Sequence, residues 1–293
     1  MTRRPSFGIN VDPLAERPGR AAELARAADE GGLDYVAIQD HPYMRGFLDA
    51  WTLLATLVPQ TTRVAFFPDV SNLPLRPPAM LAKAAASLDV LSGGRVELGL
   101  GAGGYQDAIA AMGGPRRSPA QAVAALSEAI DVIRLVWGDE RAVRYQGRFY
   151  HLTGLHPGPR PPHPIGIWLG GGRPRMLALT GSKADGWVPS SGWAPPERLP
   201  DLNRLIDEAA AAAGRDPGAI QRVYNVMGLI GGAGDGPFQG PVAAWVERLA
   251  SLFTGGQADT FVYWPLEDHF RQARQFAGEV VPAVREAVGQ APG

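Results

Sequence analysis

The stretch VAFFPDVSNLPLRPPAMLAKAAASLDVLSGGRVELGL, residues 64–100, contains one complete unit of the fold that the chain predicts. Val64–Phe67 is a short apolar run typical of a buried strand, and Val96–Leu100 is another. Between them, Pro78–Leu91 carries an apolar face at helical spacing and ends at the stop signal Ser92-Gly93. A strand, a helix and a second strand in this order predict a parallel βαβ unit.

The same alternation continues in both directions along the chain. The strand candidates, all short apolar runs, are Phe7–Val11, Tyr35–Ile38, Val64–Phe67, Val96–Leu100, Ile165–Leu169, Gly186–Val188, Val223–Leu229 and Thr260–Tyr263. The helix candidates, all periodic, are Ala21–Glu30, Leu48–Leu57, Pro78–Leu91, Ala120–Val136, Arg175–Ser182, Leu199–Ala213, Val242–Leu252 and Phe270–Val288. Eight such pairs in 293 residues predict an α/β fold of the (β/α)8 TIM-barrel type, which needs roughly 250 residues. A doubly wound sheet, the alternative, usually has fewer units.

One stretch interrupts the alternation: VRYQGRFYHLTGLHPGPRPPHP, residues 143–164. Val143–Tyr145 and Phe149–His151, on either side of Gln146-Gly147, predict a β-hairpin followed by a proline-rich return. We interpret residues 138–164 as a hairpin and proline-rich insertion between helix four and strand five. The whole chain, 1–293, is then expected to form a single domain.

Composition excludes several classes of function. The formal net charge of −1 gives no basic field for nucleic acid. Because the chain has no cysteine, disulfides, thiolate metal ligands and a cysteine nucleophile are excluded. No run of 18 apolar residues and no signal-peptide pattern is present, so we expect a cytoplasmic protein without a membrane partner.

Polar residues and glycines follow most of the strand candidates. In order along the chain they are Asn10–Asp12, Gln39–His41, Asp69–Asn72, Gly99–Tyr105, Gly170–Arg173, Ser190-Ser191, Gly231-Gly232 and Trp264. In a barrel of this type the loops after the strands converge on one mouth, where the chemistry takes place. We therefore expect Asp40 and His41 to face that mouth, with Trp193 and Trp264 as pocket candidates.

Of the five histidines, His41 alone directly follows a strand candidate. An imidazole titrates near neutrality, so it can exchange a proton or stabilise developing negative charge. The alternative is a histidine that only hydrogen-bonds the next loop. Asp40-His41 lacks an obvious spaced partner for zinc, so we predict no metal site.

Two glycine-rich loops are candidate ligand sites. Gly99-x-Gly101-x-Gly103-Gly104 resembles a dinucleotide fingerprint, but the expected helix and later acidic residue are missing, and a tight barrel corner is the alternative. In WLGGGRPRMLALTG, residues 168–181, three glycines precede a helix that begins with Arg173, Pro174 and Arg175. A helix N-terminus with two guanidinium groups suits a phosphate, unless the arginines are merely solvated.

Four segments together carry a family likeness: DYVAIQDHPY, VSNLPLRPPAMLAKAAASLDVLSGGRVELGLGAGG, VRYQGRFYHL and PIGIWLGGGRPRMLALTGSKADGWVP. They occur in the family's order over roughly residues 6 to 265, and they resemble the bacterial luciferase-like superfamily of flavin- and deazaflavin-dependent oxidoreductases. The family's fold is a (β/α)8 barrel with an insertion where this chain has its hairpin.

The resemblance implies reduced FMN or the deazaflavin coenzyme F-420 as cofactor. It implies that His41 faces the reactive ring and that a non-proline cis peptide lies within Val70-Ser71-Asn72. Asp40 and Asn72, polar residues of the same mouth, are the further catalytic candidates beside His41. The residues that it implies for cofactor binding are Val70, Ser71, Gly101, Ala102, Gly103, Gly104, Gly170, Gly171, Gly172 and Arg173.

Some deazaflavin-dependent relatives pair the histidine with a tryptophan and with a glutamate after the glycine loop. Here the corresponding residues read Pro42-Tyr43-Met44-Arg45 and Gly104-Tyr105. Tyr43, Tyr105 or Asp107 is therefore the candidate proton donor.

The leading prediction is an oxidoreductase that holds its cofactor reversibly and acts on a small organic substrate. Reduced FMN with oxygen gives monooxygenation and implies a flavin reductase as a partner, whereas a deazaflavin gives hydride transfer with His41 as acid–base partner. A homodimer is also expected. The alternatives are a non-catalytic flavin-binding protein on the same barrel and a hydrolase that uses Asp12 and Asp40.

Overall fold

The computed structural model describes residues 4–234 and 236–289. Its strands are β1 (Ser6–Val11), β2 (Tyr35–Ile38), β3 (Ala65–Pro68), β4 (Ser71–Asn72), β5 (Leu98–Gly101), β6 (Val143–Gln146), β7 (His151–Leu155), β8 (Ile167–Leu169), β9 (Gly186–Trp187), β10 (Gln221–Ile230), β11 (Gln239–Gly240) and β12 (Thr260–Pro265). Its helices are α1 (Pro18–Glu30), α2 (Ala50–Leu57), α3 (Pro78–Ser92), α4 (Gln106–Ala111), α5 (Pro119–Trp137), α6 (Pro174–Lys183), α7 (Leu199–Ala212), α8 (Val242–Thr254), α9 (His269–Gln275) and α10 (Val281–Gly289).

Eight parallel strands form the barrel in the order β3, β2, β1, β12, β10, β9, β8 and β5. The two ends of this order meet at Phe66, whose N–H donates to the Arg95 carbonyl and whose carbonyl accepts from the Glu97 N–H, both at 2.9 Å. The predicted (β/α)8 barrel is therefore confirmed. β4 pairs with β5 at the mouth, and β11 extends β10.

The core has two parts, as expected when strands are buried on both faces. The smaller part contains Phe67, Trp168 and Val223, with the Phe67 and Trp168 rings 4.9 Å apart and edge to face. The larger part joins the sheet to the helices. In α3, for example, Leu81, Ala85 and Leu88 are buried as the periodicity predicts.

Three local features differ from the expectations. No helix was expected directly after the glycines of strand four, but the structure has one there, α4, which begins at Gln106. The predicted hairpin forms between α5 and β8, but its second strand begins at His151, not at Phe149. The last helix contains a π-helical turn, Phe276–Val280, between α9 and α10. The single-domain assignment stays a prediction.

Within residues 4–234 and 236–289, no helix is both long and apolar enough to cross a membrane. The cytoplasmic location stays a prediction.

Candidate functional site

A cavity of about 1160 Å³ opens at the carboxyl ends of the barrel strands, and the residues predicted for catalysis and cofactor binding lie on its wall, whereas Asp107, a candidate proton donor, does not. Asp40, His41 and Asn72 come from the segments after β2 and β3. The glycines come from the loops after β5 and β8, and Trp193 and Trp264 also lie on the wall. A shared mouth, predicted from the strand ends, is thus present in the fold.

Asp40 is held by three donors in a buried position. Its Oδ2 accepts from the backbone N–H of Asn72 at 2.9 Å, and Arg76 donates to both carboxylate oxygens at 2.7 Å. The side chain of Asp40 has no exposed surface, and Arg76 also pairs with Asp49. Because both oxygens accept hydrogen bonds, Asp40 fixes the end of β2 against β4.

His41 lies on the wall with two tyrosine rings beside it. Its Nδ1 is 2.6 Å from the hydroxyl of Tyr43, and its ring centroid is 5.6 Å from that of Tyr105. Burial lowers the pKa of His41 below its ordinary value of 6.5, and the charge of Asp40 opposes the shift. Burial likewise raises the pKa of Tyr43 to about 12. The pair is therefore a neutral imidazole and a protonated phenol near pH 7.

The three candidate proton donors differ in their contact with His41. Tyr43 hydrogen-bonds His41, and Tyr105 packs edge to face on its ring. Asp107 instead forms an ion pair with Arg116, 2.6 Å away, on the protein surface. The geometry places Tyr43 in direct hydrogen-bonded contact with His41 and Asp107 away from it.

The segment after β3 enters the cavity as a bulge with a cis peptide bond between Asp69 and Val70. The expectation that this bond lies within Val70–Asn72 is wrong by one position. The side chain of Ser71 accepts from the Trp51 indole at 3.0 Å, which fixes the bulge to α2. A Cβ on Gly101 would lie 2.6 Å from Val70 Cγ2. Gly101 is therefore required by Val70, a reason that the loop sequence alone does not reveal.

The phosphate-type loop lies between β8 and the start of α6. The helix begins at Pro174, no side chain caps its N-terminus, and its first turn contains no acidic residue. Arg173 and Arg175 are both exposed on the cavity wall. A Cβ on Gly172 would lie 2.1 Å from the Trp193 ring, so Gly172 admits that tryptophan to the wall. The arrangement offers the positive charge of two arginines and the positive end of the helix dipole to an anion.

A third arginine on the wall, Arg117, was not predicted from the sequence. Its guanidinium lies over the rings of Phe149 and Tyr150, at 5.3 and 5.6 Å. Its backbone N–H donates to Gln106, whose side chain donates in turn to the Gly103 carbonyl. The hairpin insertion and the glycine loop thus position Arg117 together. Arg117 and Tyr150 are 33 residues apart in the chain, so no local pattern indicated this position.

Two further polar residues, Asp69 and Asn225, lie at the floor of the cavity. Neither was predicted as a catalytic or cofactor-binding residue. Asn10 Nδ2 donates to Asp69 Oδ2 at 2.7 Å. Burial raises the pKa of Asp69 to about 7, against hydrogen bonds from Asn225 and Asn10. An asparagine in the middle of the apolar run VYNVMGLI was the signal for Asn225, because buried polar groups normally have partners or functions.

The side-chain oxygens of Asn72 and Asn225 are buried, and neither accepts a hydrogen bond within the described part of the chain. Both residues line the cavity. The same ranges contain no cluster of three or more histidine, aspartate or glutamate residues that could hold a metal ion. Asp12, the other carboxylate considered for a hydrolase, bonds to Gln39 and lies 3.7 Å from His269 Nε2. Asp12 and Asp40 therefore have separate partners.

A model of the luciferase-like monooxygenases matches residues 5–231 of the chain. The chain belongs to that family. The match to a luciferase-like family includes β1, both glycine loops and the hairpin, and thus contains almost every residue on the wall of the cavity.

Two relatives of this luciferase-like chain have names that include a cofactor. An F420-dependent glucose-6-phosphate dehydrogenase from Kineococcus radiotolerans is 32% identical over 215 residues, covering 71% of this chain and 63% of the relative. A putative coenzyme F420-dependent oxidoreductase from Mycobacterium tuberculosis is 36% identical over 212 residues, covering 68% and 58%. The match thus spans less than two thirds of either relative.

Solved structures share the fold of the luciferase-like chain at low identity. An F420-dependent secondary alcohol dehydrogenase with an F420-acetone adduct has a TM-score of 0.85, with 19% identity, 96% coverage of this chain and 99% of that chain. A riboflavin lyase with modified FMN and riboflavin has a TM-score of 0.86, with 16% identity and coverages of 99% and 93%. These likenesses support the barrel and not an activity.

Proposed function

We propose that this chain is an oxidoreductase that binds the deazaflavin coenzyme in the mouth cavity and oxidises or reduces a small organic substrate there. The observation that carries the proposal is the neutral His41 imidazole, hydrogen-bonded to Tyr43, on the wall that also contains the phosphate-type loop. Two relatives with names that include F420 support the choice of deazaflavin over FMN.

The residues of the cavity fit such a coenzyme. The volume of about 1160 Å³ leaves room for a flat ring and a substrate beside it. Arg173 and the uncapped start of α6 fit a phosphate, and Arg117 and Arg175 add positive charge on the same wall. When bound, the coenzyme exchanges an electron pair with the substrate.

His41 handles the proton that accompanies this exchange. When its Nδ1 carries the hydrogen and donates to Tyr43, Nε2 is free to accept the hydroxyl proton of an alcohol as it becomes a carbonyl. In the reverse direction His41 first takes up a proton from solvent, and Nε2–H of this imidazolium then protonates the oxygen of a carbonyl that is being reduced, which returns the ring to its neutral form. One histidine–tyrosine pair thus suits either direction of the same reaction.

Asp40 and Arg76 act on this reaction indirectly. The carboxylate joins the residue before His41 to the backbone of Asn72, and Arg76 compensates its charge. We assign Asp40 as a positioning residue, which revises the expectation that it is catalytic. His41 and the bulge keep their relative positions because one buried ion pair connects their elements.

An FMN-dependent monooxygenase is the second candidate. It is favoured by the absence of the tryptophan and glutamate that accompany the histidine in some deazaflavin-dependent relatives, because Tyr43 and Tyr105 stand in those surroundings. In that case a separate flavin reductase would be the partner that supplies reduced FMN. The homodimer stays a prediction for both candidates.

The deciding experiment is a titration of the apoprotein with FMN and with the deazaflavin coenzyme, followed by fluorescence. We expect the deazaflavin to bind more tightly, and a screen of alcohols and carbonyl compounds without oxygen to give turnover. Tight binding of FMN alone, with turnover that requires oxygen, would support the second candidate. Binding of neither would contradict both.

A further inference from the structure

One cation on the wall of the mouth cavity has no role of its own in the proposed chemistry. Arg117 lines the cavity, and it comes from the segment between α4 and α5, not from the loop after β8 that fits a phosphate. Its side chain is half-buried, and within residues 4–234 and 236–289 it forms no ion pair with a carboxylate. A guanidinium on a cavity wall without a counter-charge is available to an anionic ligand.

The hairpin insertion holds this guanidinium in place. It lies over the rings of Phe149 and Tyr150, and its Nη1 donates to the Tyr150 hydroxyl at 3.3 Å. Glu128 in α5 fixes the rings in turn, because its carboxylate accepts from the backbone N–H groups of Arg148, Phe149 and Tyr150. Since a guanidinium has five N–H donors, the contact with Tyr150 leaves most of them for a ligand.

A second set of contacts connects Arg117 to the wall beside His41. The backbone N–H of Arg117 donates to Gln106 Oε1 at 2.8 Å, and Gln106 Nε2 donates to the Gly103 carbonyl at 2.8 Å. Tyr105, the residue before Gln106, packs edge to face on the His41 ring. The loop that brings Tyr105 to His41 therefore also positions Arg117.

Positive charge exceeds negative charge on the cavity wall. The arginines and carboxylates that line it are Arg117, Arg173, Arg175, Asp40 and Asp69. The carboxylates do not neutralise these arginines, because Asp40 pairs with Arg76 and Asp69 accepts from Asn10. A phosphate at the start of α6 would be matched by Arg173 and Arg175. Arg117, on another element, is then left for a second anionic group.

We propose that the substrate of this site carries an oxyanion group, a carboxylate or a phosphate, and that Arg117 binds this group while an alcohol or carbonyl of the same molecule reacts at His41. Arg117 is thus a specificity-determining residue that selects charged substrates over neutral ones. The inference rests on the proposed function, because it takes the coenzyme-dependent reaction at His41 as given. The substrate class that it names is a small hydroxy or oxo compound with a separate anionic group.

The test compares charged with neutral substrates on the full chain saturated with the deazaflavin coenzyme, so that the start of α6 is already occupied. One series contains aliphatic and aromatic hydroxy acids, each with its methyl ester, and the other contains phosphate monoesters of diols, each with the free diol. We expect kcat/KM of the best charged compound to exceed that of its neutral counterpart at least about tenfold. This ratio should fall as ionic strength rises. The series with the larger ratio identifies the oxyanion.

Arg117→Met removes the charge and keeps an unbranched side chain over the two rings. We expect KM for the charged compound to rise about tenfold or more, with kcat, the neutral counterpart and coenzyme affinity all within about threefold of the wild type. Arg117→Lys keeps the charge without the fork of donors and should recover part of the loss. Arg148→Met is the matched control, because Arg148 lies over the same Phe149 ring at 5.3 Å but is exposed and away from the cavity wall.

Equal kcat/KM for charged and neutral compounds in the wild type, or an equal loss for both in Arg117→Met, would overturn the inference and leave the proposed function intact. A weaker coenzyme with an unchanged KM would do the same, because Arg117 would then bind the coenzyme. If no compound reacts, ligand-observed NMR on the coenzyme-saturated protein decides, and charged compounds that bind wild type and Arg117→Met alike overturn the inference. If Arg117→Met does not fold, Arg117→Lys decides by its KM. Failure of the wild type to bind FMN or the deazaflavin coenzyme would overturn both proposals.

Discussion

The barrel has a histidine next to carboxylates at each of its two ends, and the two groups differ in how completely they are hydrogen-bonded. At the amino ends of β5 and β8, His163 Nδ1 is 2.8 Å from Asp89 and its Nε2 is 3.5 Å from Glu97. At the mouth, His41 Nδ1 is 2.6 Å from the Tyr43 hydroxyl, and its Nε2 makes no hydrogen bond within residues 4–234 and 236–289.

The carboxylates at the amino end have further donors inside the protein. Asp89 accepts from the Val96 N–H at 3.2 Å, and Glu97 accepts from the Gly166 N–H. The mouth instead keeps the oxygens of Asn72 and Asn225 without donors in the described ranges. A saturated group stabilises the fold, whereas a buried acceptor without a donor costs free energy, so the amino end is expected to contribute more to stability than the mouth.

The largest difference between the two ends is expected from His41→Ala. Loss of a general acid–base group lowers turnover by about 10²–10⁴-fold. Cofactor affinity should stay within about threefold, because the phosphate-type loop is untouched. Steady-state kinetics and fluorescence titration measure the two quantities, and an equal loss in both would remove His41 from a chemical role.

His163→Ala should have the opposite profile. It leaves the buried Asp89 carboxylate and Glu97 without their shared partner, which we expect to cost about 1–3 kcal/mol in the free energy of unfolding. Turnover per folded molecule should not change. Urea unfolding monitors the loss, and His151→Ala, at an exposed position of the hairpin, is the control. An unchanged free energy of unfolding would mean that the contacts of His163 with Asp89 and Glu97 do not stabilise the fold.

At the mouth, Arg173→Ala tests whether the arginines at the start of α6 bind phosphate. We expect the dissociation constant of FMN or the deazaflavin coenzyme to rise about tenfold, or ~1.4 kcal/mol. Binding of riboflavin, which lacks the phosphate, should be unaffected. Arg160→Ala removes another exposed arginine, which is paired with Asp139, and should change neither. The phosphate assignment is wrong if FMN and riboflavin respond alike to Arg173→Ala.

The smallest effect is expected from Tyr43→Phe, which removes one hydrogen bond from His41. About 1 kcal/mol corresponds to roughly a fivefold loss in turnover. Because burial raises the pKa of Tyr43 to about 12, the hydroxyl stays protonated throughout the assay range. The loss should therefore be the same at pH 7 and pH 9, and a loss that grows with pH would indicate that Tyr43 itself ionises during turnover.

The barrel and most of its site could be predicted because both follow from local patterns. Apolar runs such as Tyr35–Ile38 became strands, with β2 ending where the sequence indicated. The mouth residues follow because parallel strands place their carboxyl ends together. The position of the cis bond could not be predicted, because no residue type marks a non-proline cis peptide; it lies at Asp69-Val70, directly after the end of β3.

Other features depend on contacts between distant parts of the chain. Arg117 reaches the cavity because the hairpin rings hold it, and the pairing of Asp40 with Arg76 bridges 36 residues. Asp69 was visible as a strand-end residue, but its environment depends on Asn10 and Asn225 from two other strands. Composition and periodicity do not encode which buried amide meets which carboxylate.

The close approach of Val70, in the bulge after β3, to Gly101, at the end of β5, couples the residue types that these two positions can accept. A side chain can enter at residue 101 only if residue 70 becomes smaller, because a Cβ at residue 101 would lie only 2.6 Å from Val70 Cγ2. Gly99 follows another rule: its obstacle is the Pro68 carbonyl at 2.0 Å, which no substitution removes. Over evolutionary time, positions 70 and 101 can therefore drift as a pair, whereas position 99 is fixed by the backbone itself.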